Sequence, residues 1–175
     1  MLNETNVCKL IKKTSDVFGY LIPKEEPTQP TAVFFTIDGA VGIRVTEYDK
    51  KVIAKLVEFG FMKPDYTFEK TNSLIPKLLS ALPGKEIKCT PFLFEYISKK
   101  KTTMLRFSES ETEVMVYDDK LLACFSDVKC YTENGKSLLY IMEKENVVGI
   151  VSPYKYDADR LVALAQKCTK PGLVV

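Results

Sequence analysis

Three short apolar runs between strong turn signals, all within residues 112–155, constrain this chain more than any other feature. Val114-Met115-Val116-Tyr117 is the first, 138–142 the second and 147–151 the third, with Asn134-Gly135 and residues 143–146 as turns beside them. Runs this short, bounded by turn chemistry, predict a small antiparallel meander. A second β signal lies far upstream. Residues 32–37 and 40–45 flank Asp38-Gly39, a two-residue turn whose backbone matches the twist of a hairpin.

Helical spacing fills much of the remainder. Val7, Leu10 and Ile11 predict a helix within 3–15, with Asn3 or Thr5 as its cap. Tyr48, Val52, Ile53, Leu56 and Val57 predict another over 47–59, where Thr46 and Asp49 imitate a capping box and Gly60 supplies the stop. Leu74, Ile75, Leu78, Leu79 and Leu82 predict a third over 73–82, with Pro76 in its first turn and Pro83-Gly84 after it. A last helix starts at Asp157 and repeats Leu161, Leu164, Ala165 and Cys168 at i, i+3, i+4 and i+7.

Further strands are expected at 16–23, 86–89, 102–108 and 128–131, whereas 91–97 is too uniformly apolar to separate strand from helix. Asp118 either turns a hairpin with Asp119 or caps a short helical turn that sends Leu121, Leu122 and Phe125 inward, and their spacing favours the turn. Residues 23–30 carry Pro23, Pro27 and Pro30 and read as a loop. The expected fold is α+β: an antiparallel sheet of several strands backed by amphipathic helices. It forms one domain over 1–175, with a core at 31–170 and a possible N-terminal arm and proline-rich loop at 1–30. A chain of 175 residues can bury about 70% of its unfolded surface, so no staple is required.

The absence of histidine does most to narrow the chemistry. It removes Ser-His-Asp and Cys-His nucleophile systems, imidazole bases and most zinc or iron sites. The five cysteines, Cys8, Cys89, Cys124, Cys130 and Cys168, form no C-x-x-C pair and read as core residues of a reducing compartment. None of the eight glycines falls in a phosphate-binding loop pattern. No apolar run approaches the roughly 20 residues that span a bilayer, and the first 13 residues do not read as a signal peptide. A cytoplasmic chain without a membrane association, and without a cofactor, is expected.

Acidic groups occur at Asp118-Asp119, at Glu109, Glu111 and Glu113, and at Asp157 with Asp159. They could serve a divalent metal or acid/base catalysis, but turns and caps use the same residues. The basic run Lys99-Lys100-Lys101, near Tyr96 and Arg106, is the local feature that points to nucleic acid. A solvated loop before a strand is its plainer explanation, and the net charge of +2 implies no polyanion by itself.

Asp119-Lys-Leu-Leu122, Phe125, the run from Tyr131 through Asn134-Gly135 to Ile141, and Val147-Val-Gly-Ile-Val-Ser-Pro-Tyr154 carry a resemblance. This portion resembles the C-terminal part of small phage and prophage proteins and, more remotely, the last strands of a sliding-clamp domain. That resemblance implies a clamp-like binding domain, not an enzyme. The first expectation is therefore a non-enzymatic domain acting through a protein or nucleic-acid surface, with Lys99, Lys100, Lys101 and Arg106 as nucleic-acid contacts. The alternatives are a metal-dependent enzyme using Asp118, Asp119 or Asp157, and a homo-oligomer joined through Leu173-Val174-Val175 or an open strand edge.

Overall fold

The computed structural model describes residues 1–80, 85, 86, 88–95, 101–106, 114–126, 129–132, 138–153 and 159. The chain opens with α1 (Glu4–Ile11) and an antiparallel meander of β1 (Val17–Ile22), β2 (Ala32–Ile37) and β3 (Val41–Thr46). Asp38 and Gly39 both take positive φ, 51° and 65°, as the twist-matched hairpin turn requires. Next come α2 (Lys50–Glu58), α3 (Ile75–Leu79) and β4 (Lys85–Glu86), then β5 (Lys88–Glu95), β6 (Lys101–Arg106) and β7 (Val114–Asp118). The last described elements are α4 (Asp119–Leu122), β8 (Lys129–Thr132), β9 (Leu139–Glu143) and β10 (Asn146–Val151). The fold is α+β.

Seven strands form one sheet in the order β1-β2-β3-β10-β9-β8-β4, and β5-β6-β7 form a second. Every ladder is antiparallel. The large sheet is two meanders joined where β3 meets β10, and apolar side chains cover both of its faces. Val33, Phe35, Ile37, Val41, Ile43, Val45, Leu139, Ile141 and Val151 pack toward Val7 and Ile11 of α1 and Val52 and Leu56 of α2. Phe34, Tyr140, Met142, Val147 and Ile150 pack on the other side with Ile75 of α3. Strand alternation produces this division. It also explains why β2 and β9 are apolar at nearly every position: a strand covered on both faces has no solvent side to alternate with.

Several details depart from the sequence reading. Val114 to Tyr117 belongs to β7 of the small sheet, while the strands expected at 128–131, 138–142 and 147–151 pair antiparallel as the meander β8-β9-β10. Apolar runs report burial, not partners. Helix α2 starts at Lys50, later than expected, because Asp49 Oδ2 accepts from Thr46 N (2.7 Å) and Thr46 Oγ1 (3.1 Å), closing a turn ahead of the helix. Tyr48 therefore lies outside the helical face and is 74% exposed. Helix α3 covers only 75–79, leaving Leu74 56% exposed. The ambiguous 91–97 region is strand through Glu95, with an irregular register between Cys89 and Leu93 around Pro91.

Other expectations hold. Asn3 Oδ1 caps α1 by accepting from Asn6 N (3.1 Å), and Asp118 Oδ1 caps α4 by accepting from Lys120 N (2.9 Å). Gly60, at φ 74°, follows α2. The first residues tie the two halves of the chain together. Asn3 N donates to Cys124 O (2.7 Å), Asn6 Nδ2 to Ala123 O (2.8 Å) and Ser126 N to Met1 O (2.8 Å). The turn at 134–135, the helix from Asp157 and the tail at 171–175 lie outside the described residues.

Candidate functional site

The junction of the two meanders is incomplete, and the gap opens into a concavity. Strands β3 and β10 pair at Val41–Val151, Gly42–Ile150 and Ile43–Gly149, where the named pairing ends. Val148 is an extra residue in β10: Val147 faces Met142 and Gly149 faces Ile141, with nothing opposite Val148. Such a bulge bends its strand and ends regular pairing. Arg44 to Thr46 thus continue along β2 while β10 diverges from them.

The strand alternation explains what happens to the freed backbone. Glu47 N donates to Thr31 O, toward the β2 side, so Thr46 N points to the β10 side. There it is taken by the Asp49 carboxylate. The proline-rich loop covers the wedge from the other side. Two adjoining cavities result. The larger, about 610 Å³, is lined among others by Lys24, Asp49, Glu143, Lys144 and Val148; the smaller, about 310 Å³, by Glu25, Leu79 and Glu145. Ile22, Pro23, Gln29, Arg44 and Asn146 line both and form the saddle between them.

Arg44 spans the wedge. Its Nη1 donates to Asn146 Oδ1 at 3.1 Å, and no carboxylate among the described residues lies within ion-pairing distance of it. Desolvation by burial lowers its pKa, and the field of Glu25 opposes that shift. A guanidinium remains charged under such a shift. The acids of the larger cavity are otherwise engaged: Asp49 holds Thr46, and Glu143 lies 3.6 Å from the Met1 amine.

Gln29 Oε1 accepts from Glu25 N (3.0 Å) and Glu26 N (3.5 Å), and Asn146 Oδ1 accepts from Arg44. Gln29 Oε1 thus has both acceptor positions filled and Asn146 Oδ1 one of two, while the NH2 groups of both side chains make no hydrogen bond among the described residues. The saddle is a concentration of hydrogen-bond donors.

The expected nucleic-acid contacts belong to β6 and to the residues just before it in sequence. Lys99 and Lys100 lie outside the described residues. Lys101 and Arg106 stand at opposite ends of β6, paired with Glu95 and with Lys88, respectively. Of the expected metal-site acids, Asp118 caps α4, and Asp157 lies outside the described residues. No group of three or more metal-ligating side chains occurs among the described residues.

Sequence reasoning passed over Arg44. Its signal was one charge inside the β-rich run Val41-Gly-Ile-Arg-Val-Thr46. The fold and groove define an α+β domain built on a two-meander antiparallel sheet. No family model, no curated protein and no solved structure matches the chain.

Proposed function

We propose that this chain is a binding domain without catalytic chemistry of its own, acting on a nucleic-acid or protein partner through the groove between β3 and β10. The observation that carries the reading is Arg44, a half-buried guanidinium with one neutral side-chain partner, placed where two cavities meet. A permanently charged group held this way costs desolvation, and an arriving anionic or polar partner offsets that cost. The order of one helix followed by three antiparallel strands occurs twice, as α1-β1-β2-β3 and α4-β8-β9-β10. That repetition is the feature on which a clamp-like reading rests. No helix among the described residues is long and apolar enough to cross a membrane.

The test is fluorescence anisotropy of labelled single- and double-stranded DNA at low and near-physiological salt. Three proteins are compared: wild type, Arg44→Gln, and the triple alanine variant of Lys99, Lys100 and Lys101. Salt-sensitive binding lost in Arg44→Gln supports the groove, whereas loss in the triple variant alone moves the contact to the basic run. If no DNA binds even at low salt, the nucleic-acid partner is ruled out. A mass by light scattering that also stays monomeric as concentration rises removes self-association as the protein partner.

A further inference from the structure

We infer that the Arg44 saddle is a receptor for a phosphate-type oxyanion, with the larger cavity accommodating the group that carries it. The inference rests on the groove being the contact surface, and it goes further by naming the chemistry of what enters.

Donor arithmetic carries the argument. Arg44 has five N–H donors and commits one to Asn146, leaving four. Gln29 and Asn146 line the cavity, and each keeps two amide N–H donors that make no hydrogen bond among the described residues. Lys24 and Lys144 add two ammonium groups to the lining of the larger cavity. Two acids line the same cavity, Asp49 bound to Thr46 and Glu143 beside the Met1 amine. This supply exceeds what the two oxygens of a carboxylate accept and suits the three peripheral oxygens of a phosphoryl group.

The smaller cavity has the opposite character. Glu25 and Glu145 line it, with Arg44 shared between the two cavities, so the anion is steered to the Lys24 and Lys144 side. At about 610 Å³, the larger cavity falls within the range of small-molecule sites, and a nucleoside-sized group can enter it. The same phosphoryl chemistry could come from a small phosphorylated molecule or from the backbone of a nucleic-acid strand.

The experiment follows the melting temperature and the side-chain amide NMR signals of Gln29 and Asn146 during titration with inorganic phosphate, a nucleoside 5′-monophosphate and a short single-stranded oligonucleotide. Wild type, Arg44→Gln, Arg44→Lys and Asn146→Ala are compared, each first shown to be folded by circular dichroism. Phosphate and the monophosphate should stabilise wild type and shift both amide signals. Arg44→Gln should weaken binding about tenfold or more, and Arg44→Lys should retain part of it, because the charge survives without the planar fork. Asn146→Ala, which removes a donor while keeping the guanidinium, gives an independent reading if Arg44→Gln folds poorly.

Tighter binding of the oligonucleotide with the same Arg44 dependence would assign the anion to a nucleic-acid strand. Tighter binding of the monophosphate would assign it to a small molecule, leaving the anion site standing without the macromolecular reading. Stabilisation of Arg44→Gln equal to that of wild type, or no response of wild type to any of the three, overturns the receptor. DNA binding that ignores Arg44 overturns it as well, while preserving a binding function elsewhere on the surface.

Discussion

The two meanders share a plan and differ in regularity. In the first, β1 pairs with β2 and β2 with β3 through six residues each, in continuous register. In the second, β8 is four residues long, β9 five, and β10 carries the bulge at Val148. Each meander places a glycine on the junction strand beneath an aromatic ring. A Cβ on Gly42 would lie 2.4 Å from Phe34 Cζ, and one on Gly149 would lie 2.3 Å from Phe125 Cζ. Phe34 belongs to the α3 face and Phe125 to the α1 and α2 face, so the seam is wedged from opposite sides. The regular half supplies a rigid platform. The irregular half diverges from it and makes the groove.

The largest expected effects come from removing those rings. Phe34→Ala should cost about 3–5 kcal/mol, since the ring is fully buried inside a strand paired on both sides. Phe125→Ala should fall near 3 kcal/mol, because Phe125 follows a short helix and is slightly exposed. The glycine counterparts act through overpacking, with about 2–3 kcal/mol for Gly42→Ala and less for Gly149→Ala. The open pocket beside Gly42 and Phe34 holds only about 60 Å³, which leaves the Phe34 ring little room to shift. Adding Phe34→Leu to Gly42→Ala should recover part of the loss. Urea unfolding of the four single variants gives the ranking, and a more costly Gly149→Ala would show that the bulged half is the rigid one.

The helix thiols sharpen the same comparison. Cys8 of α1 is half-buried; burial raises its pKa first and Glu4 second, while Lys55, Lys12 and Lys51 pull it down. Cys124, just after α4, is buried, and that burial pushes its thiol up to about 12. In the unfolded chain a thiol ionises near 9, and in the folded chain Cys124 keeps its proton. Its contribution to stability is therefore complete below about pH 9 and declines as pH rises toward 12. Between pH 9 and 10 wild type should lose up to about 1.4 kcal/mol more than Cys124→Ala. Parallel unfolding profiles of the two proteins would contradict this. A thiol reagent at pH 8 should modify Cys8 well before Cys124.

How much of this was legible depends on whether the cause is local. Asp38-Gly39 marked its hairpin because turn geometry depends on two residues, and Asp118 marked α4 because a cap is a contact within one turn. The assignment of 114–117 to the wrong sheet had no local cause, since a buried run looks the same in either partner. The groove depends on where a ladder stops between strands about a hundred residues apart in sequence, and on a bulge within a run of ordinary β-formers. Arg44 became informative only once Asn146 and the proline-rich loop were seen beside it.

The smallest test concerns the helix that opens each half. Asn3 and Asp118 both cap through a side-chain oxygen, Asn3 accepting from the third residue on and Asp118 from the second, yet α1 is eight residues long and buries Val7 and Ile11, whereas α4 is four residues long and buries none of its own. A cap stabilises the native state only as far as the helix behind it is coupled to the core. Asn3→Ala should therefore cost about 1 kcal/mol, and Asp118→Ala about 0.5 kcal/mol. Asn3→Gly separates the lost side-chain contact from the fixed backbone of Asn3, whose N–H also donates to Cys124 O and joins the halves. If Asp118→Ala proves the more costly, α4 is coupled to the core beyond its own buried surface. The small sheet ending in β7 would then be the part that holds the irregular meander in place.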